Sequence, residues 1–165
     1  MRRHRQSAAP KDSVAYMSEP LMTGAELKAA REYLGLSASW LAEFAVCDER
    51  RVQRMELDQE LVAESVVNAV EKVFDETDEM VTRLTDKYGL LTKNNPGKTI
   101  TMPVYRSDAE YLKAHKHGRF QARWHRMVAQ RVALVVPGLV LAYEKPYRVN
   151  QRPWERDKRR QKVSP

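Results

Sequence analysis

The sequence predicts a mainly α fold with a small α+β part, in which a bundle of short helices precedes a compact αβ module. Three observations carry this prediction. Residues that cap helices recur at short intervals between residues 23 and 48. Apolar residues at helical spacing follow from 61 to 88. A strong turn signal at 92–98 then precedes two β-rich segments that flank a helical one.

Length and composition favour a soluble protein of the cytoplasm. The chain has 165 residues, 42% of them hydrophobic and 31% charged, which suffices for one ordinary domain or two small ones. No apolar run is long enough to predict a membrane span, and the Arg-rich start lacks the apolar region of a secretory signal. The lone Cys47 excludes an internal disulfide. We therefore expect a reducing, cytoplasmic setting and no membrane-embedded segment.

Charge is distributed unevenly along the chain, whose formal net charge is +7. Residues 1–18 carry four Lys and Arg against one acid, residues 19–95 nine against sixteen, and residues 96–165 sixteen against five; the nets are +3, −7 and +11. A basic half joined to an acidic half favours a polyanionic partner, either a nucleic acid or an anionic membrane surface. We expect residues 1–18 to form a disordered basic arm and residues 145–165 a basic tail.

The first helix is predicted to begin after Thr23. Thr23 and Glu26 have the spacing of a capping box, in which each side chain bonds the other residue's backbone N–H. An apolar stripe follows at helical spacing, with Arg31 in one of its positions. Gly35 then supplies a residue that adopts a left-handed C-cap at low cost.

Two further short helices follow with the spacing of a helix-turn-helix. Ser37 can cap a helix over 39–45, a turn follows at 46–47, and Asp48 can cap a third helix that runs to about residue 55. Helices this short are marginal alone, so packing against neighbours must hold them. In a helix-turn-helix the second helix of the pair enters the DNA major groove. We therefore predict an N-terminal helix-turn-helix bundle.

The rest of the chain divides into a helical stretch, a linker and a second unit. The apolar pattern over 61–88 predicts one or two longer helices, with a possible break at 75–78. Asn-Pro and Pro-Gly steps make 92–98 the strongest linker signal. The predicted domains are a helix-turn-helix domain at 19–91 and a small αβ domain at 99–144.

The second unit is predicted to be an αβ dimerisation module. Its pattern indicates strands at 100–105 and 139–143, helices after Ser107 and over 120–133, and a β-rich run at 134–136. About 45 residues rarely hold a stable core alone, so we expect a surface shared with a second copy or with the first unit. The predicted dimer contacts are Tyr105, Trp124, Val128, Val132, Leu139 and Leu141.

The outward face of the third helix carries the candidate DNA-reading residues. Val52 and Met55 are its apolar anchors, which leaves Arg50, Gln53 and Arg54 on one wall at i, i+3 and i+4. Arg can bond guanine O6 and N7 with two donors, and Gln can pair in the same way with adenine. The residues predicted to contact the DNA backbone are Ser39, Glu49 and Arg51.

These residues carry a resemblance to a known family. Residues 23–56, with Leu-Ala-Glu at 41–43 and Arg-Val-Gln-Arg-Met-Glu at 51–56, resemble helix-turn-helix repressors of the Xre and YdiL-like type. The strand that ends in Tyr105, the helix that follows it and the Trp124 helix are similar to the second half of the anti-CRISPR-associated autorepressors of the YdiL-like group.

The resemblance covers about residues 22–144 and implies a homodimer whose second half dimerises and whose recognition helices bind an inverted repeat in a promoter. It places the base-contacting positions on Arg50, Gln53 and Arg54. The chain departs from the family pattern at the turn, where Val46 stands in place of the usual Gly, and at Met55, where an aromatic residue is usual.

The function predicted is a sequence-specific DNA-binding transcriptional regulator, nucleoid-associated, that represses its own gene by binding an inverted-repeat operator as a homodimer. Two alternatives stay open. The basic C-terminal half could instead bind RNA, and the fold could be an antitoxin-like or host-factor protein-interaction module. The tail residues that would contact nucleic acid are Arg148, Arg152, Arg156, Lys158, Arg159 and Arg160.

Catalysis and metal binding are not expected from this sequence. It has no nucleophile paired with a base, no Gly-rich phosphate loop and no metal-ligand spacing. His115 and His117 are two residues apart and would point apart on a helix. We therefore predict neither an enzyme nor a bound cofactor or metal.

Overall fold

A computed structural model describes residues 21–144, and the predicted arm at 1–18 and tail at 145–165 lie outside these residues. The described part is mainly helical with a small parallel sheet, which confirms the predicted class at that level. Its elements are α1 (Gly24–Tyr33), α2 (Ala38–Phe44), α3 (Glu49–Glu56), α4 (Glu64–Asn94), β1 (Ile100–Val104), α5 (Asp108–Ala114), α6 (Ala122–Val135) and β2 (Leu139–Tyr143).

The capping residues predicted from the sequence start three of the first helices. The Thr23 hydroxyl accepts from the Glu26 N–H at 3.2 Å while the Glu26 carboxylate accepts from the Thr23 N–H at 2.8 Å, which completes the capping box. Ser37 caps α2 and Asp48 caps α3 through their side-chain oxygens. Gly35 has φ +68° directly after α1, as a left-handed helix terminus requires.

The turn between α2 and α3 contains a strained residue. Val46 has φ +54° and is 91% exposed. A β-branched side chain is unfavourable in this left-handed region, and so exposed a side chain gains little packing in return. The turn therefore forms at a cost in free energy that Gly would avoid.

Helix α4 is continuous for 31 residues, so the possible break at 75–78 does not occur. Thr77 is fully buried there, and its hydroxyl donates to the Val73 carbonyl and accepts from the Trp124 indole N–H at 2.9 Å. The flanking acids Glu76 and Asp78 pair with Arg119 and Arg131 from the second part of the chain. Tertiary partners thus keep an acidic segment helical, and the predicted linker at 92–98 begins inside the last turn of α4.

The two parts of the chain share buried side chains. One core cluster joins Leu34 and Leu36, which follow α1, to Trp124 and Val128 of α6 across α4. Gly35 lies so close to α6 that an added Cβ would be 2.9 Å from the backbone of Arg123. Of the two shared surfaces expected for the second unit, the one with the first unit is therefore present within a single chain.

The sheet consists of β1 and β2 in parallel, with Ile100 opposite Leu139 and with α5 and α6 in the crossover between them. The predicted β-rich run at 134–136 is wrong in its first two residues, because Leu134 and Val135 form the last turn of α6. Helix α6 buries Val132 against the sheet and its C-cap Val136 in the same cluster, and this packing overrides the β propensity of the run.

One histidine belongs to the core of the second part. His125 is buried among the rings of Tyr105 and Tyr111, with its Nδ1 unpartnered in the described structure. Burial lowers the pKa of His125 to about 4, so its imidazole is neutral at pH 7.

None of the helices within residues 21–144 has the length and apolar character that crossing a bilayer requires.

Candidate nucleic-acid interface

Helix α3 is held by its apolar side and presents its polar side to solvent. Val52 and Met55 are fully buried in a cluster with Leu27 of α1 and Leu41 of α2. Because residues three and four apart share one face of a helix, burial of these anchors turns the opposite wall outward. The packing thereby fixes which α3 side chains a ligand can reach.

The three predicted base-contacting residues are exposed together on that wall. Arg50, Gln53 and Arg54 all lie on the solvent side of α3. Among the described residues, the Arg50 side chain has neither a hydrogen-bond partner nor an ion pair, so all five of its guanidinium N–H donors are available. The second part of the chain does not cover this wall.

Glu49 contacts Gln53 rather than pointing away from it. The Glu49 carboxylate accepts a hydrogen bond from the Gln53 side-chain amide at 3.3 Å. This leaves the amide oxygen and the second amide hydrogen of Gln53 available for a ligand. The carboxylate of Glu49 would repel a phosphate, so its side chain orients Gln53 and is unsuited to the backbone contact predicted for it.

Glu60, which the sequence did not single out, binds two arginines of α3. One of its carboxylate oxygens accepts from Arg51 Nε at 2.6 Å, and the other accepts from Arg54 Nε at 3.3 Å and Nη2 at 3.2 Å. The hydrogen bond from Arg51 lowers the pKa of Glu60 below its usual value. Glu60 reaches them because Asp58, at φ +55°, reverses the chain after α3.

The remaining predicted backbone contact, Ser39, is exposed on α2 with its hydroxyl 3.1 Å from the Ser37 hydroxyl. A serine hydroxyl has one donor, so Ser39 can donate to a phosphate oxygen when it accepts the hydrogen bond from Ser37. Ser39 and Arg51 therefore flank the α3 wall with groups of the chemistry predicted for them.

A largely buried ion pair fixes α3 to α1. The Arg31 guanidinium donates to the two carboxylate oxygens of Glu56 at 2.5 and 2.9 Å, and a third N–H donates to the Leu36 carbonyl at 2.9 Å. The two side chains are only 13% and 8% exposed. The signal in the sequence was Arg31 in an apolar stripe, which pairing with Glu56 explains.

The residues predicted to contact a second copy lie mostly inside the chain. Buried side chains cannot reach a partner without unfolding, so the predicted set is corrected by the burial of four members. Leu139 and Leu141 of β2 are half-buried against the core cluster that contains Val132. The four buried members are Tyr105, Trp124, Val128 and Val132.

Other apolar side chains of α6 and β2 are exposed. Leu134 is 76% exposed and Val135 63% at the end of α6, and Val140 and Tyr143 are about half exposed on β2. We call these four residues the α6–β2 patch.

The basic tail residues predicted to bind nucleic acid, Arg148 to Arg160, lie outside the described part of the chain.

Comparison with protein-family models and with curated proteins finds no match to this chain.

Proposed function

We propose that the chain is a sequence-specific DNA-binding regulator in which α2 and α3 act as a helix-turn-helix and α3 is the recognition helix. The observation that carries this proposal is the exposure of Arg50, Gln53 and Arg54 side by side on a helix whose other side is anchored in the core. Arginine and glutamine are the side chains suited to paired hydrogen bonds with guanine and adenine in the major groove.

The contacts around this wall support DNA over a smaller ligand. Arg51 and Ser39 carry donors suited to phosphate oxygens and lie on α3 and on the helix that would cross the backbone. A wall of three side chains that project from one helix is convex, whereas sites for small molecules are concave. The shape and the chemistry of the wall both fit a groove.

We propose further that two copies associate through the α6–β2 patch, so that two recognition helices address an inverted repeat. A sheet of two strands leaves both its outer edges unpaired within the described residues, and such edges invite pairing or cover. Leu134 of α6 and Val140 of β2 are exposed apolar side chains that a second copy would cover. Repression of the chain's own gene follows where the operator overlaps its promoter.

Loss of base contacts should weaken specific binding without unfolding the chain. We expect Arg50→Ala and Gln53→Ala each to cost about 1–3 kcal/mol of binding free energy on a duplex from the region upstream of the start codon. The measurement is fluorescence anisotropy against a scrambled duplex of equal composition. Arg83→Ala, which removes an exposed arginine of α4, is the control and should bind normally.

Two outcomes would count against DNA binding. If both variants bind the upstream duplex as tightly as the unmodified chain, the α3 wall does not contact bases. The chain is instead an interaction module if it binds no duplex but forms a stable complex with another protein, and if salt does not weaken that complex. DNA binding, by contrast, falls steeply with salt.

A charge in the α6–β2 patch should separate the proposed dimer. Leu134→Asp places a carboxylate where we expect two apolar surfaces to meet, and burial of an unpaired charge is strongly unfavourable. We expect the mass measured by light scattering to fall from two chains to one. Leu61→Asp, at a leucine that is 68% exposed in the loop before α4, is the control and should leave the mass unchanged. A mass of two chains for Leu134→Asp would contradict the proposed surface.

A further inference from the structure

The Glu60 carboxylate lies at the edge of the α3 wall, where its negative charge is unfavourable for DNA binding. A carboxylate next to a DNA surface repels phosphates and so lowers affinity for any duplex. Glu60 nevertheless reaches back from the loop after α3 to hold Arg51 at 2.6 Å and Arg54 at 3.2 and 3.3 Å. Its contribution must therefore lie in how it arranges these two side chains.

The hydrogens that Glu60 leaves free on Arg54 define what this arginine can bond. A guanidinium has five N–H donors, and Glu60 takes one on Nε and one on Nη2. Two hydrogens on Nη1 and one on Nη2 remain, and they lie along the outer end of the planar group. The side chain is 50% exposed, so this end is open to a ligand. Two adjacent parallel donors match O6 and N7 of guanine.

Arg51 is held differently. Its Nε donates to the other oxygen of Glu60, and its side chain is 43% exposed. Glu60 leaves four N–H donors of Arg51 free, but its negative charge repels a phosphate that approaches them. This repulsion lowers binding to all sequences alike, since phosphates carry no base information.

We propose that Glu60 is a positioning residue that presents the outer end of Arg54 to a guanine and restrains Arg51 from indiscriminate phosphate binding. This inference rests on the proposed function. Because Glu60 already holds Arg54 in one orientation, base contact costs Arg54 less side-chain entropy. Restraining Arg51 weakens non-specific binding, and specificity is the difference between the two affinities.

The test compares Glu60→Gln with Arg54→Ala and with Glu64→Gln. Glu64, at the exposed first position of α4, has no ion pair among the described residues, so its variant makes the same change in charge without touching Arg54. Each protein selects from random-sequence duplexes, and base preference is counted at every position. Binding to a scrambled duplex is then measured over a range of salt concentrations.

We expect the unmodified chain to select a guanine that Arg54→Ala no longer prefers. Glu60→Gln should weaken the preference for that guanine by about tenfold and leave the other positions unchanged. It should also bind the scrambled duplex more tightly, with a salt dependence steeper by about one, because Arg51 is released to contact a phosphate. Glu64→Gln should keep the guanine preference and the salt slope of the unmodified chain.

The outcomes separate the inference from the proposed function. If the unmodified chain selects no sequence, DNA reading fails and the role of Glu60 fails with it. If the chain selects a sequence and Glu60→Gln keeps the full guanine preference, DNA reading stands and the positioning role is overturned. If Glu60→Gln loses preference equally at every position, Glu60 supports the loop as a whole and the positioning role is again overturned. Thermal unfolding of Glu60→Gln should stay close to normal, because an exposed ion pair contributes little to stability.

Discussion

Gly24→Ala is expected to lower the free energy of unfolding by about 3 kcal/mol, since no space exists for a methyl group at this position. A Cβ on Gly24 would lie 2.1 Å from the Met55 carbonyl oxygen and 2.6 Å from the Asp58 carboxylate. The Met55 oxygen is backbone, so α1 or α3 must move as a unit. Such a shift would also break the hydrogen bond from the Gly24 N–H to Asp58 at 3.0 Å.

The chain offers a matched control at another helical glycine. Gly89 lies inside α4 with nothing within 4 Å of an added Cβ, so Gly89→Ala should instead stabilise by about 0.5–1 kcal/mol through backbone entropy. Urea unfolding followed by circular dichroism measures both changes. Equal effects of the two substitutions would show that the close approach of α1 to α3 is not a constraint.

The close contact at Gly24 should also affect the proposed DNA binding. Met55 and Asp58 lie at the end of α3 and in the reversal that returns Glu60 to the wall. We therefore expect Gly24→Ala, at temperatures where it remains folded, to weaken binding of the upstream duplex although Gly24 itself contacts no base. The proposed contact of α3 with a DNA groove requires a fixed position of α3 on α1.

Features that depend on neighbouring residues could be predicted from the sequence. The caps at Thr23, Ser37, Asp48 and Ser107 are all present, because each side chain bonds a backbone N–H only two or three residues away. The outward wall of α3 followed in the same way from two apolar anchors three residues apart.

Features set by distant contacts could not be predicted in this way. The continuity of α4 through its acidic segment depends on Trp124, 47 residues further along the chain, which donates to Thr77. Burial of Trp124 likewise removes it from the predicted dimer surface. The contact of Glu60 with Arg54 could not be predicted, because it depends on the path of the loop after α3. That path is set by the left-handed conformation of Asp58.

Glu56→Ala is the substitution for which we expect the largest loss of stability, about 3–5 kcal/mol. It would leave the Arg31 guanidinium, 13% exposed, without the carboxylate that accepts two of its hydrogen bonds, and with only the exposed Glu32 carboxylate 3.8 Å away. That pairing also raises the pKa of Arg31, so the arginine remains charged and cannot escape the cost by losing its proton. Thermal and urea unfolding measure the loss.

A double substitution distinguishes the cost of an unpaired charge from the value of the pair itself. Arg31→Met with Glu56→Met removes both charges and keeps an apolar contact between α1 and α3, so we expect it to recover most of the stability lost in Glu56→Ala. Exposed pairs contribute little, and Arg83→Ala in the Arg83–Glu79 pair should therefore change stability by less than about 1 kcal/mol. If the double variant is as unstable as Glu56→Ala, then the geometry of the pair, with the third hydrogen bond from Arg31 to the Leu36 carbonyl, is what holds α3 on α1.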